Sequence, residues 1–428
     1  MRIALIPLMC WFLVPGLLAA QQKPTAEKVQ VYILAGQSNM EGYGLIRSLE
    51  TLGEKNPELL AMMKDAQGKW KSRDDVTIYW ASKEKKQGPL DVQWGAMTGE
   101  SIGPELAFGA VLGQASEAPV LLIKTAWGGK SVWCDFRSPG AGQMSAAEKK
   151  ILQRDNHLQP GQFYKQMVDE IQYALHHLDE IVPGYQGQGY EMGGLAWLQG
   201  WNDFCEWHLE MEGQRVGMEL IRQYPSNLAA MFKDLRNDLG QPGLPIVVGE
   251  LGIGGPEMGR RARNQDDREA VAMIEFRRMQ ADVASNADLA PIQFVATEDC
   301  WDSRLQELRQ ASDEYWQEKQ KQGIQDTEEN HLPTKQQNDE FLRRGGHWYC
   351  HYNGSAMSYC LMGQRMAQQL MAMQDDADQD GKVSRAETPE RMREGVAFNL
   401  IDTNLDGFVD QQELQVLHSK IMDRRSGR

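Results

Sequence analysis

The chain alternates short, uniformly apolar runs with longer stretches in which apolar residues return every three to four positions. The runs are VQVYILA (29–35), APVLLIKTA (118–126), GLAWLQG (194–200), LPIVVGELG (244–252) and PIQFVAT (291–297). None alternates apolar with polar residues, which is the pattern of strands covered on both faces. Between them, FYKQMVDEIQYALHHL (163–178) and SNLAAMFKDLRNDLG (226–240) read as amphipathic helices. Strand–helix–strand alternation predicts an α/β fold: a three-layer α/β/α sandwich around a parallel sheet with right-handed crossovers. The charged, Gln-rich stretch 303–345 reads as a surface excursion before a last core helix, SAMSYCLMGQRMAQQLMAM (355–373).

The two ends of the chain depart from this pattern. Arg2, the apolar run Ile3 to Leu18 and the small residues of Leu18-Ala19-Ala20 have the layout of a secretory signal peptide over 1–20. That run is too short and too broken by Pro and Gly to make a good membrane span. Cys10 lacks the small residues of a lipoprotein cleavage site before it. A secreted or periplasmic protein is expected, with no stable membrane span once the signal is removed. The expected core domain covers 21–373.

From Asp375 the composition turns acidic and polar, marking a small all-α module over 374–428. DADQDGKVSRAE (376–387) and DTNLDGFVDQQE (402–413) both satisfy the twelve-position EF-hand loop. A hard cation takes six to eight oxygens, Gly at position 6 permits the sharp turn, and a terminal Glu closes the site with two oxygens. The ligands assigned to the first loop are Asp376, Asp378, Asp380, the Lys382 carbonyl, Ser384 and Glu387. Those of the second are Asp402, Asn404, Asp406, the Phe408 carbonyl, Asp410 and Glu413. Two structural calcium ions are the expected cofactors. The short gap between the loops favours a structural module over a calcium sensor.

Charge and cysteine content narrow the setting. A net charge of −15 argues against nucleic acid as a partner. Five cysteines remain after signal removal, so at least one is unpaired within the chain, and one or two bridges are expected in an oxidising compartment.

Candidate chemistry gathers at strand ends, where open α/β sheets bind their ligands. LAGQSNMEG (34–42) ends the first run with Ser38. A lone Gly-x-Ser most often marks a turn, and Met40 stands where the G-x-S-x-G elbow needs its second glycine. The other ends change the weighting. KTAWGGKSVW (124–133) brings Gly128 and Gly129, QGWND (199–203) brings Asn202, and HWYCHYNGSA (347–356) brings two histidines before the last helix. Acyl transfer needs a nucleophile, a base and donors for the oxyanion. Ser38, a histidine, a Gly128 or Gly129 N–H and the Asn202 amide supply those types.

In that order, LAGQSNMEG, IGPELAFG (102–109), KTAWGG (124–129), WLQGWND (197–203) and LMGQRMA (361–367) resemble the motifs of the SGNH-hydrolase superfamily, in its sialate O-acetylesterase and acetylxylan esterase branch. The resemblance spans about 29–370 and implies a flavodoxin-like sandwich that removes acetyl groups from sugar hydroxyls without a catalytic metal. It implies Ser38 as nucleophile and His351 as base, with His347 the alternative. The Ser38 N–H, a Gly128 or Gly129 N–H and Asn202 would form the oxyanion hole, with an acetylated carbohydrate as partner. Gln37, Gln199, Trp133 and Trp201 are candidate substrate contacts, the tryptophans by stacking on sugar rings.

One position departs from the family pattern. The Asp three residues before the histidine is replaced by Trp348 for His351 and by Arg344 for His347. The orienting acid must come from elsewhere, with Asp302 and Asp339 as candidates and Glu340 and Asp203 behind them. Otherwise a Ser–His dyad operates. The gap also favours a rival reading, a catalytically inactive carbohydrate-binding protein; an esterase for other small acyl esters is a further alternative.

Overall fold

A computed structural model describes residues 27–83, 86–154, 159–211, 213–324, 331–375, 382–384 and 408–410. Its main sheet has seven strands: β1 (Val29–Gly36), β2 (Arg73–Trp80), β3 (Lys86–Leu90), β4 (Val120–Ala126), β5 (Tyr190–Leu198), β6 (Ile246–Gly249) and β7 (Ile292–Val295). The order across the sheet is β7-β6-β5-β1-β4-β2-β3, and all neighbours run parallel except β3, which pairs antiparallel with β2 at the edge. The uniformly apolar run in β1 is explained by its central place. Val31, Ile33, Leu34 and Ala35 are all fully buried, because helices cover both faces. Val31, Ile33 and Leu34 each contribute about 1.5–3 kcal/mol by this burial.

The longer helices are α1 (Glu105–Ala115), α2 (Gln162–His176), α3 (Tyr224–Asp238), α4 (Arg268–Ala284), α5 (Ser303–Lys321), α6 (Lys335–Arg344) and α7 (Ala356–Asp375). Helices α1 and α7 pack together on one face, and α2, α3 and α4 on the other. This is the expected α/β/α sandwich. The expected surface excursion forms α5 and α6, joined by a small cluster of Leu305, Leu308, Leu332 and Phe341.

Two expectations are corrected. The five apolar runs do form strands, but β2 and β3 are additional. β2 opens with Arg73, Asp74 and Asp75 on an exposed end, and β3 carries Gly88 and Pro89, so neither has an unbroken apolar run. Pro89 is tolerated because β3 is an edge strand. The cysteine bridges are the second correction: Cys134, Cys205, Cys300, Cys350 and Cys360 are all free.

The expected signal segment 1–20 lies outside the described residues, as do Asp376, Asp378, Asp380, Glu387, Asp402, Asn404, Asp406 and Glu413. Between the two loops, Lys382–Ser384 pairs antiparallel with Phe408–Asp410, setting Val383 opposite Val409. No helix among the described residues is long and apolar enough to cross a membrane.

Candidate active site

From β1 the chain crosses out to β2 and the edge strand β3, comes back to β4 beside β1, and then passes to the other side of β1 to build β5, β6 and β7. β1 therefore sits where the strand order reverses, the position at which open sheets form a crevice. Its last residue, Gly36, is paired with Ala126 of β4 on one side and Leu198 of β5 on the other. The three motif turns thus leave the sheet from a single rung. Gly36 has φ of +152°, and a Cβ there would lie 2.1 Å from the Leu198 carbonyl oxygen, so only glycine lets the chain turn this tightly.

Ser38 opens a one-turn helix, Ser38–Glu41, and is nearly buried. The first amides of a helix have no carbonyl partner within it, so this turn presents N–H groups beside the serine. A Cβ at Gly128 would lie 3.7 Å from Ser38 Cβ, and one at Gly129 would lie 4.0 Å from Asn202 Nδ2. The nucleophile turn, the Gly-Gly turn and Asn202 therefore converge.

Gln37 fixes the orientation of Asn202. Its Oε1 accepts from the N–H groups of Gly200 (3.1 Å) and Asn202 (3.2 Å), which settles the direction of its own amide. Its Nε2 then donates to Asn202 Oδ1 at 2.8 Å, leaving the Asn202 NH₂ on the Gly129 side. Gln37 is 1% exposed and fully engaged, so the expected substrate contact is corrected: it positions Asn202. Gln199 is corrected similarly. Its buried Nε2 donates to the Lys130 carbonyl and to Asp203 Oδ2, bracing the Gly-Gly turn.

Glu41, at the end of the serine turn, went unnoticed in the sequence. Burial raises its carboxyl above the usual range, against Lys124, Lys83 and the Gly128 N–H that bonds it. That bond separates the two glycines, since Gly128 faces Glu41 while Gly129 lies beside Asn202. Beneath the turn, fully buried Lys124 donates to the Glu41 carbonyl (2.8 Å), the Trp94 carbonyl (2.7 Å) and Glu105 Oε2 (2.8 Å). All three ammonium protons are satisfied, which is what makes a buried cation tolerable.

The histidine loop docks onto this turn from between α6 and α7. Asn39 Nδ2 donates to the Cys350 carbonyl at 3.1 Å, and Tyr359 OH donates to Asn39 Oδ1 at 2.7 Å. His351 is the next residue of this tethered loop. The Tyr43 ring lies flat on His351, with centroids 3.8 Å apart and planes 10° from parallel. His347 lies farther from Tyr43, at 5.7 Å, and 5.9 Å from His351. Burial, then the neighbouring His347, lowers His351 to about 4. Burial also lowers His347, assisted by Arg47 and Arg309.

None of the proposed acids orients His351. Asp302 caps α5 through the Leu305 N–H and pairs with Arg344. Asp339 is exposed on α6 and pairs with Lys335. Glu340 is held by Arg304. Asp203 accepts from the N–H groups of Val132 and Trp133 and from Gln199, and burial raises it to about 7. His351 Nδ1 is buried without a hydrogen-bond partner. The ring is instead held by stacking, a contact that no rule of sequence spacing would have revealed.

The tryptophan expectation also changes. Trp133 is 3% exposed, packed with Cys134, Ile151 and Leu220, and offers no face to a sugar. Trp201 is partly buried against Phe204 and Tyr349. Trp348, flanking His351, is the open one, at 61% exposure.

Residues 28–300 match the family described as carbohydrate esterase, sialic acid-specific acetylesterase. The chain belongs to this family. Residues 396–418 also match the EF-hand. Among solved structures, similarity extends to a protein from Arabidopsis thaliana at 16% identity and TM-score 0.37, covering 80% of this chain and 97% of that one. It extends also to a carbohydrate acetylesterase from Xanthomonas citri at 16% identity and TM-score 0.36, covering 64% of this chain and half of that one. No curated protein is matched. The family match covers the whole of the sheet and the three strand-end turns.

Proposed function

We propose that this protein is an exported carbohydrate O-acetylesterase working through a serine acyl-enzyme. His351 takes the Ser38 proton and Ser38 Oγ attacks the acetyl carbonyl. The oxyanion is held by the N–H groups of Ser38 and Gly129 and by Asn202 Nδ2. His351 returns the proton to the departing sugar oxygen, and water then releases acetate by the same steps in reverse. Tyr43 takes over the orienting work of the missing acid by stacking on the imidazole.

The observation that supports this reading is the shared rung: the turns that carry Ser38, Gly129 and Asn202 leave the sheet at Gly36, Ala126 and Leu198, and Asn39 tethers the His351 loop to the first of them. A fluorophosphonate probe tests it, with p-nitrophenyl acetate turnover measured alongside. Stoichiometric labelling of Ser38 with loss of turnover is expected. Labelling at another serine would remove Ser38 as the nucleophile, and no labelling in folded protein would favour the inactive carbohydrate-binding reading.

We assign the two calcium ions to the C-terminal loops. The antiparallel pairing of Lys382–Ser384 with Phe408–Asp410 supports the assignment, since it aligns positions 7–9 of one loop with those of the other. Bound there, calcium would stabilise the module and take no part in the ester chemistry.

A further inference from the structure

Trp348 is, among the described residues, the tryptophan that the fold leaves in solvent. Among the described residues only one other large apolar side chain is comparably open: Ile324, 41% exposed just past the end of α5. A lone exposed aliphatic residue is ordinary, but an indole held open beside a reactive histidine is informative. Trp133, Trp197 and Trp301 are buried, so none of them can receive a ligand face.

The backbone that carries the indole is tied to the base. The Trp348 carbonyl accepts the N–H groups of His351 (3.0 Å) and Asn353 (3.1 Å), making base and indole parts of one hydrogen-bonded turn. Its ring centroid lies 5.0 Å from that of His347 and 5.6 Å from that of His351. Tyr352 and Asn353 both have positive φ, of 52° and 51°. Two consecutive non-glycine residues in that region are strained, and such strain persists where the surroundings over-determine it. Here Tyr352 OH accepts from the Gly252 N–H and Asn353 Nδ2 donates to Gln306 Oε1.

The chemistry of the ester says what occupies the space beside this indole. The acyl half of an acetate ester is one methyl group and needs little room at Ser38. The base hands its proton to the departing alcohol oxygen, so the alcohol half lies against His351. Its ring then extends toward the group that flanks His351. A pyranose has an apolar C–H face suited to an indole plane, with hydroxyls around its rim left in water.

We propose that Trp348 is the stacking platform for the pyranose whose acetyl group Ser38 removes, and is thus a specificity-determining residue for acetylated sugars. The proposal rests on the esterase reading of the site. A neutral acetylated pyranose and an O-acetylated sialic acid share the ring face, and the test distinguishes them.

Wild type, W348A and W348F are assayed on ethyl acetate, on acetylated xylo-oligosaccharide and on O-acetylated sialic acid. Ethyl acetate carries the same acetyl group without a ring. W348A should lose about tenfold in kcat/KM on the sugar ester that the protein uses, mostly through KM, as expected for truncating an aromatic side chain that the bound ring covers. Ethyl acetate turnover should stay within about twofold, and W348F should recover most of the loss. The sugar that shows the loss identifies the substrate class. Unchanged turnover of both sugars by W348A would overturn the platform, as would an equal loss on ethyl acetate. Should wild type hydrolyse none of the esters, the esterase reading fails, and calorimetric binding of the same sugars decides the platform alone. About tenfold weaker binding by W348A supports it. Equal binding, or no binding by wild type, overturns it.

Discussion

An imidazole used as a base must be neutral, correctly turned and able to accept a proton. Burial secures the first condition by lowering His351 to about 4 from its ordinary 6.5, with His347 adding to the effect. Protonation removes base function, so activity should be present above the folded pKa and lost below it. The acid limb of the kcat/KM profile is therefore expected near pH 4, not near 6.5. Exchanging His347 for Gln removes the secondary influence and should move the limb upward; a limb that stays at 6.5 in wild type would contradict the assignment. Orientation comes from Tyr43. Aromatic stacking contributes about 0.5–1.5 kcal/mol beyond area burial. Y43L should accordingly lower kcat by about two- to tenfold with little change in KM, and Y43F should restore it. Equal behaviour of Y43L and wild type would remove stacking as the orienting contact.

The proposed oxyanion side is a property of an element, the Gly200–Asn202 corner gripped by Gln37. Removing one oxyanion donor typically costs about 10²–10³ in kcat, which is the loss expected for N202A. Q37L leaves the Gly200 and Asn202 N–H groups without an acceptor and frees the Asn202 amide to turn. It should lower kcat by about tenfold or more, and the Q37L/N202A double variant should be no worse than N202A. Strictly additive losses in kcat would show that Gln37 does not act through Asn202.

This corner also shows where sequence reasoning reached and where it stopped. Ser38, the two glycines and Asn202 were legible because each follows an unbroken apolar run, and strand ends in an α/β sheet share an edge. The Gln37 grip, the Gly128–Glu41 bond and the Tyr43 stack were not, because they depend on which way side chains turn once the ends meet. β2 and β3 were hidden by charged and Pro/Gly positions that an exposed strand end and an edge strand tolerate. The buried Trp133 and open Trp348 are the same residue type, and only burial separates them.

On the scale of the whole molecule, the sheet matched to the esterase family and the EF-hand match are separate stretches of one chain, for which we propose separate tasks. A ligand that binds only the folded form stabilises it by about 2.7 kcal/mol at a hundredfold excess over Kd. EDTA should therefore lower a thermal transition seen by calorimetry while leaving ester turnover at 25 °C within about twofold. Loss of turnover in EDTA while the protein stays folded would place calcium in the chemistry and contradict the structural assignment.

The central claim is that Ser38 is the nucleophile for acetyl esters of sugars. The most direct measurement is acetate release from an acetylated oligosaccharide by wild type and S38A, with circular dichroism confirming that both are folded. The account predicts release by wild type and a loss of at least about a thousandfold in S38A. Release by folded S38A at a rate near wild type would contradict it.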